Sequence, residues 1–199
     1  MVSLAMHRVV PLVIALGILS SGICEAQTSK PAFQNFNAPG NLETTVDLAC
    51  ITLDKVSAQY NPVDLFRAVR ACLVAKRYDD AAGLHLLAMT FGRFDMARVA
   101  DQTAHQAISV AQMEIYGGVS PADRQTFGDH AKLVMDDPKI HTAFCQAVVR
   151  IGPPTYFPRY MIQHGMGAFL GNSGNGLVKD FDPAASWTML VQTGRKCLP

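Results

Sequence analysis

The sequence predicts a mainly α-helical fold: a single domain of stacked antiparallel hairpins, about 7–8 helices, stapled by two disulfides. Three observations carry this. Four capping residues are each followed by proline, at Asn61-Pro62, Ser120-Pro121, Asp137-Pro138 and Asp182-Pro183. Apolar residues recur at three- to four-residue spacing, and alternating strand-like runs are absent. The cysteines that remain after an expected signal cleavage are even in number.

From the N-terminus, Met1 to Ala26 has a basic start at His7 and Arg8, an apolar run from Val9 to Leu19, and small residues leading to Ala26. That layout is the one a secretory signal peptide has, and the apolar run is too short for the roughly 20 residues that span a bilayer. Lipidation at Cys24 is the alternative, but Ile23 stands where a lipobox wants a small residue. Residues 27–40 (QTSKPAFQNFNAPG) are polar, unperiodic and punctuated by Pro and Gly, and predict a flexible linker ahead of a helical domain at 41–199. The expected location is periplasmic or secreted. Cleavage near Ala26 leaves 173 residues at net charge +1. No basic block accompanies them, so nothing favours nucleic acid or an anionic membrane surface. No later segment is apolar enough to be a membrane span.

Helices are expected over 42–58, 62–76, 79–91, 95–116, 121–135, 138–150, 158–170 and 183–193. At each capped start the side chain accepts a free amide, and proline loses nothing at the first helical position. Stops are expected at Gly117-Gly118, Gly152-Pro153-Pro154 and Gly194. Val63, Phe66, Val69 and Leu73 form one buried stripe, and Ala81, Leu84, Leu87, Ala88 and Phe91 another. If 42–58 and 62–76 form a hairpin turning at Asn61, Cys50 and Cys72 lie eleven residues either side of the turn, at one level. They would then pair, leaving Cys145 with Cys197. Each closed loop is worth about 3–4 kcal/mol.

Lys76-Arg77-Tyr78-Asp79-Asp80-Ala81 is echoed by Gly92-Arg93-Phe94-Asp95-Met96-Ala97. With Leu65, Ala81 and Ala88, this resembles the inter-helix turn of tetratricopeptide or Sel1-like repeats over about forty residues. Cys72 and His85 stand where those repeats carry aromatics. The resemblance implies stacked helical hairpins with a groove for protein binding.

Candidate chemistry is sparse. Asp101, His105 and Ser109 share a helix face at i, i+4 and i+8, but side chains from one straight helix lean the same way and do not make a triad. His85, His105, His130, His141 and His164 have no paired metal spacing. Met161, His164 and Met166 offer soft ligands for Cu(I), yet Met166 falls partly round the helix from the others. Asp79-Asp80 and Asp136-Asp137 sit at helix boundaries, where carboxylates cap amides. Only Glu43 and Glu114 remain after cleavage. The glycine-rich 171–176 lacks the lysine and the preceding strand of a phosphate loop. No cofactor is expected.

The densest stretch is Pro153 to Asn172, PPTYFPRYMIQHGMGAFLGN. Its first reading is a packed helix in which Gly165 and Gly167 allow close approach. Its second is an interface of Tyr156, Phe157, Arg159, Tyr160 and His164, since Tyr and Arg anchor binding surfaces. The function expected is therefore that of an exported protein-binding domain, not an enzyme, with an unidentified protein partner and a homodimer as the second option. In layout it is similar to the periplasmic type VI amidase immunity proteins, which implies an immunity or inhibitor role. The rivals are a hydrolase gathering His164 with His105 or Asp129 from separate helices, and a small-ligand or metal carrier using the Met/His helix.

Overall fold

A computed structural model describes residues 38–171 and 174–197. The expected signal segment and most of the linker lie outside the described residues, as do residues 172–173 and 198–199. Within them the protein is mainly α, with eight α-helices and no strand; Val99 and Leu177 form an isolated bridge. None of these helices is long and apolar enough to cross a membrane.

Each of the four Pro-initiated helices starts where its cap predicts. In α1 (Pro62–Val74) the Asn61 side chain accepts from the amides of Val63 and Asp64, and Asp64 returns a bond to the Asn61 amide. Ser120 caps α4 (Pro121–Asp136), Asp137 caps α5 (Pro138–Ile151), and Asp182 caps α8 (Pro183–Met189) through the amides two or three residues on. Both predicted stripes, Val63 to Leu73 and Ala81 to Phe91, are buried.

The third and fourth expected helices differ from expectation. Residues 79–91 and the first part of 95–116 form one continuous helix, α2 (Tyr78–Arg98). Asp95 lies inside it rather than at a helix start, so the second copy of the echoed motif is not a turn. Helix α2 is buried nearly all round, and glycines let its neighbours in. A Cβ at Gly92 would stand 2.5 Å from Ile108, and one at Gly83 would stand 2.9 Å from Leu53. The chain then makes a 3-10 turn over Gln102–Gln106 and continues as α3 (Ala107–Glu114). Helices α1 and α2, joined by a tight turn with Lys76 at φ +58°, pack most extensively; α2 also carries α4, and α4 carries α5.

The predicted helix 42–58 is absent. This segment is irregular apart from a 3-10 turn at Leu53–Lys55. Its amides go to Asp64 instead: the carboxylate accepts from the Thr45 amide at 2.7 Å, the Thr45 hydroxyl at 2.7 Å and the Val46 amide at 3.2 Å. Leu42, Leu48, Ile51, Leu53 and Val56 still pack against the core, which explains the apolar periodicity. Cys50 pairs with Cys72 (Cα–Cα 4.6 Å), but from this draped segment and not from a facing helix. Cys145 pairs with Cys197 (Cα–Cα 5.0 Å), tying the segment after α8 to α5. That segment leaves α8 through a π-helical turn at Leu190–Gly194.

Candidate functional site

The predicted helix 158–170 is two short turns, α6 (Arg159–Ile162) and α7 (Met166–Phe169), with extended backbone at Gly165 between them. A Cβ at Gly165 would collide with the Asp101 carboxylate and stand 2.9 Å from Ala104. Close approach is thus what the glycine permits, as the packing reading expects. Asp101 fastens α7: its Oδ2 accepts the Gly167 amide at 2.7 Å, and the Met166 amide donates to Thr103 Oγ1 at 2.8 Å. The Thr103 hydroxyl, together with the Gly167 amide, holds the Asp101 carboxyl below its ordinary range.

Entry into α6 is set by a wholly buried carboxylate. Asp95 Oδ2 accepts the hydroxyls of Tyr156 and Tyr160, each at 2.7 Å, while Arg98 Nε and NH2 approach Oδ1 at 2.8 and 2.7 Å. The Arg98 guanidinium also lies over the rings of Phe94 and Tyr156, each 5.1 Å from the centroid. Burial pushes the Asp95 carboxyl up, against the pull of Arg98 and the two phenols. Burial, and then the Asp95 charge, push both phenols well above their ordinary value, so they remain donors.

These contacts correct the five-residue interface. Tyr160 is 2% exposed and belongs to the core; Tyr156 is half-buried, with its hydroxyl spent on Asp95. The chain's own residues 39–42 cover the next part. Arg159 lies against Gly40 and donates to the Pro39 carbonyl at 3.5 Å, the Leu42 amide donates to the Tyr160 carbonyl at 3.1 Å, and His164 Nδ1 meets Asn41 Oδ1 at 2.8 Å. Desolvation lowers the His164 pKa. Phe157 alone of the five presents a large apolar surface, at 57% exposure. The physical reason is that a tyrosine serves a buried carboxylate, and an arginine a carbonyl of its own chain, as readily as either serves a partner.

What does reach the surface lies just beyond. Met166, Phe169 and Leu170 are 52%, 54% and 64% exposed. They fall at i, i+3 and i+4 along α7 and its C-cap residue Leu170, and so share one face. An unbroken helix over 158–170 would carry Phe169 on one face with Tyr160 and Met161; the break at Gly165 separates it from those two buried residues.

Comparison with protein-family models, curated proteins and solved structures finds no match to this chain. Function therefore has to be argued from the groups themselves.

The histidines do not gather. His85 lies between Phe66 and Phe127, with ring centroids 5.8 and 5.3 Å away, and burial lowers its pKa to about 4. His105 meets the Val99 carbonyl, His130 pairs with Asp79 at 2.6 Å, and His141 meets the Arg195 carbonyl. Asp101, rather than sharing a helix face with His105 and Ser109, caps the 3-10 turn that holds His105, while Ser109 lies beyond it in α3. Met161 is fully buried while Met166 is exposed, so the soft-ligand set is split. A cavity of about 570 Å³ lies between α1 and α3, lined by Val63, Phe66, Arg67, Ala111 and Ile115 among others.

Proposed function

We propose that this chain is an exported protein-binding domain of the immunity or inhibitor kind, acting through the outward face of α7 with Phe157. The observation that carries the reading is the trio Met166, Phe169 and Leu170: large apolar side chains at about half exposure, clustered on one turn. Scattered exposed hydrophobes are ordinary, whereas a cluster on a fastened element marks an interaction surface. The turn is held by Asp101 and Thr103, so little ordering cost remains to be met when a partner docks.

The discriminating experiment is capture from extract by the oxidised protein, wild type beside a Met166→Ser/Leu170→Ser variant. Both side chains are exposed, so the variant keeps its fold, as circular dichroism would check. A stoichiometric protein retained by the wild type and lost by the variant supports the reading. Equal capture by both, or none by either, overturns it. Light scattering of the purified protein tests whether the partner is a second copy.

A further inference from the structure

The two disulfides differ in what surrounds their sulfurs. Cys72 is fully buried, and its Sγ lies 4.0 Å from the Ile51 carbonyl, an acceptor that repels a thiolate. Cys145 and Cys197 instead line a surface cavity of about 410 Å³ together with His141, Thr142, Arg150 and Lys196. Among the described residues, none that lines it carries a carboxylate. His141, one helical turn before Cys145, places Nε2 at 3.0 Å from the Arg195 carbonyl and 3.6 Å from Cys145 Sγ. A carbonyl only accepts, so Nε2 carries the hydrogen, and the same N–H is within reach of that sulfur. Cys197 Sγ, by contrast, lies 3.7 Å from the Arg195 carbonyl oxygen.

We propose that Cys145–Cys197 is an exchangeable disulfide that reacts with a small anionic thiol. The thiolate attacks the Sγ of Cys197, the less buried of the two residues, and forms a mixed disulfide there. The Cys145–Cys197 bond breaks, and its electron pair leaves on Cys145 Sγ, which accepts a hydrogen bond from His141 Nε2. A second thiolate then displaces Cys197, giving the oxidised thiol and two protein thiolates; the small thiol is oxidised and the protein disulfide reduced. The direction follows from the neighbours, since a leaving thiolate is favoured beside the N–H at Cys145 and disfavoured beside the carbonyl at Cys197. Arg150 and Lys196 select for negative charge on the incoming molecule. His141, Cys145 and Cys197 bring three metal-type ligand atoms within 4.8 Å of one another, but with the sulfurs bonded together no thiolate is available to a cation.

The test exposes the oxidised full-length protein to reduced glutathione, and separately to cysteamine, its cationic counterpart, matched for thiolate concentration. Acid quenching, alkylation and peptide mapping then locate the adduct. Expected are a glutathione adduct on Cys197, alkylation on Cys145, and Cys50–Cys72 intact. Glutathione should react about fivefold faster than cysteamine, a preference that Lys196→Glu abolishes or reverses. His141→Leu should slow adduct formation by about tenfold. An adduct at Cys50, Cys72 or Cys145, or equal opening of both disulfides, overturns the proposal. So do equal rates for the two thiols that Lys196→Glu leaves unchanged. Lys196 is exposed, so that arm stands even where His141→Leu misfolds.

Discussion

Asp64 and Asp95 are both wholly buried, and each fastens an irregular segment to a helix, yet their carboxyl oxygens are satisfied by opposite means. Asp64 stands in the first turn of α1, where free amides and the positive end of the helix dipole favour a carboxylate. Its partners are the amides of Asn61, Thr45 and Val46 and the Thr45 hydroxyl, with no cation among them. Asp95 stands in the last turn of α2, where the dipole is unfavourable, and it is held by a guanidinium and two phenols. Where a buried carboxylate sits along its helix thus decides whether backbone suffices or a counter-charge is required.

The largest effect should come from breaking the second arrangement. Asp95→Ala leaves Arg98 buried without its counter-ion and two phenols without an acceptor, so it should cost about 3–5 kcal/mol, read as a shift in urea midpoint. A loss below about 1 kcal/mol would mean that water replaces the carboxylate and that the network is not closed. Asp95→Leu with Arg98→Met should recover much of the loss, because a well-packed apolar pair needs no counter-charge.

Acid separates Asp95 from a second buried group, His85. His85 binds its proton near pH 6.5 when unfolded and near pH 4 when folded. Between those values the unfolded chain holds more protons, so stability is full above about pH 6.5 and falls by up to about 3 kcal/mol as pH drops through 4. Asp95, shifted upward by burial, works in the other direction: its folded form takes up protons first, so acidification favours the fold through this group. In His85→Leu most of the fall between about pH 6.5 and pH 4 should vanish, leaving the contribution of His164, whose pKa desolvation also lowers, set against the opposite slope of Asp95. A variant that keeps the wild-type slope would place the acid-sensitive group elsewhere.

Asp64→Asn sharpens the comparison from the backbone side. One oxygen is kept and the charge is lost, so the cost should be about 2 kcal/mol. Most of it should be local: amide exchange should accelerate at Thr45 and Val46, while α2 keeps its protection. Uniform acceleration would mean that the draped segment and the hairpin unfold together.

The same contrast marks where sequence reading succeeds. Asn61, Ser120, Asp137 and Asp182 disclose four helix starts because a cap and a following proline act within three residues. The stripes on α1 and α2 are legible for the same reason: periodicity is local. The grip of Asp64 on Thr45 and Val46, nineteen and eighteen residues away, has no local signature, and it replaces a helix that periodicity alone predicts. Asp95 was read as a helix start, yet its tyrosine partners lie 61 and 65 residues on. That is why Tyr156 and Tyr160 looked like interface residues. Nothing nearby in the chain announces a buried acceptor. Cys50–Cys72 was paired correctly from spacing about Asn61, though the geometry behind that pairing was a hairpin the chain does not form.

The smallest predicted effect asks whether the two phenols on Asp95 are equivalent. Each donates at 2.7 Å to the same oxygen, but Tyr160 is enclosed by the core while Tyr156 is half-buried beneath Arg98. Removing either hydroxyl leaves the other donor and Arg98 in place, so Tyr160→Phe should cost about 1.5 kcal/mol. Tyr156→Phe should cost less, because its ring, unlike that of Tyr160, is not enclosed by the core on every side and can shift to fill the gap. Urea midpoints of the two variants and of the double substitution would decide it. If the double loses more than the sum of the singles, the phenols compensate for one another and Asp95 needs only one of them. If the losses add, each hydroxyl is separately required, and the carboxylate at the wrong end of its helix uses every donor it has.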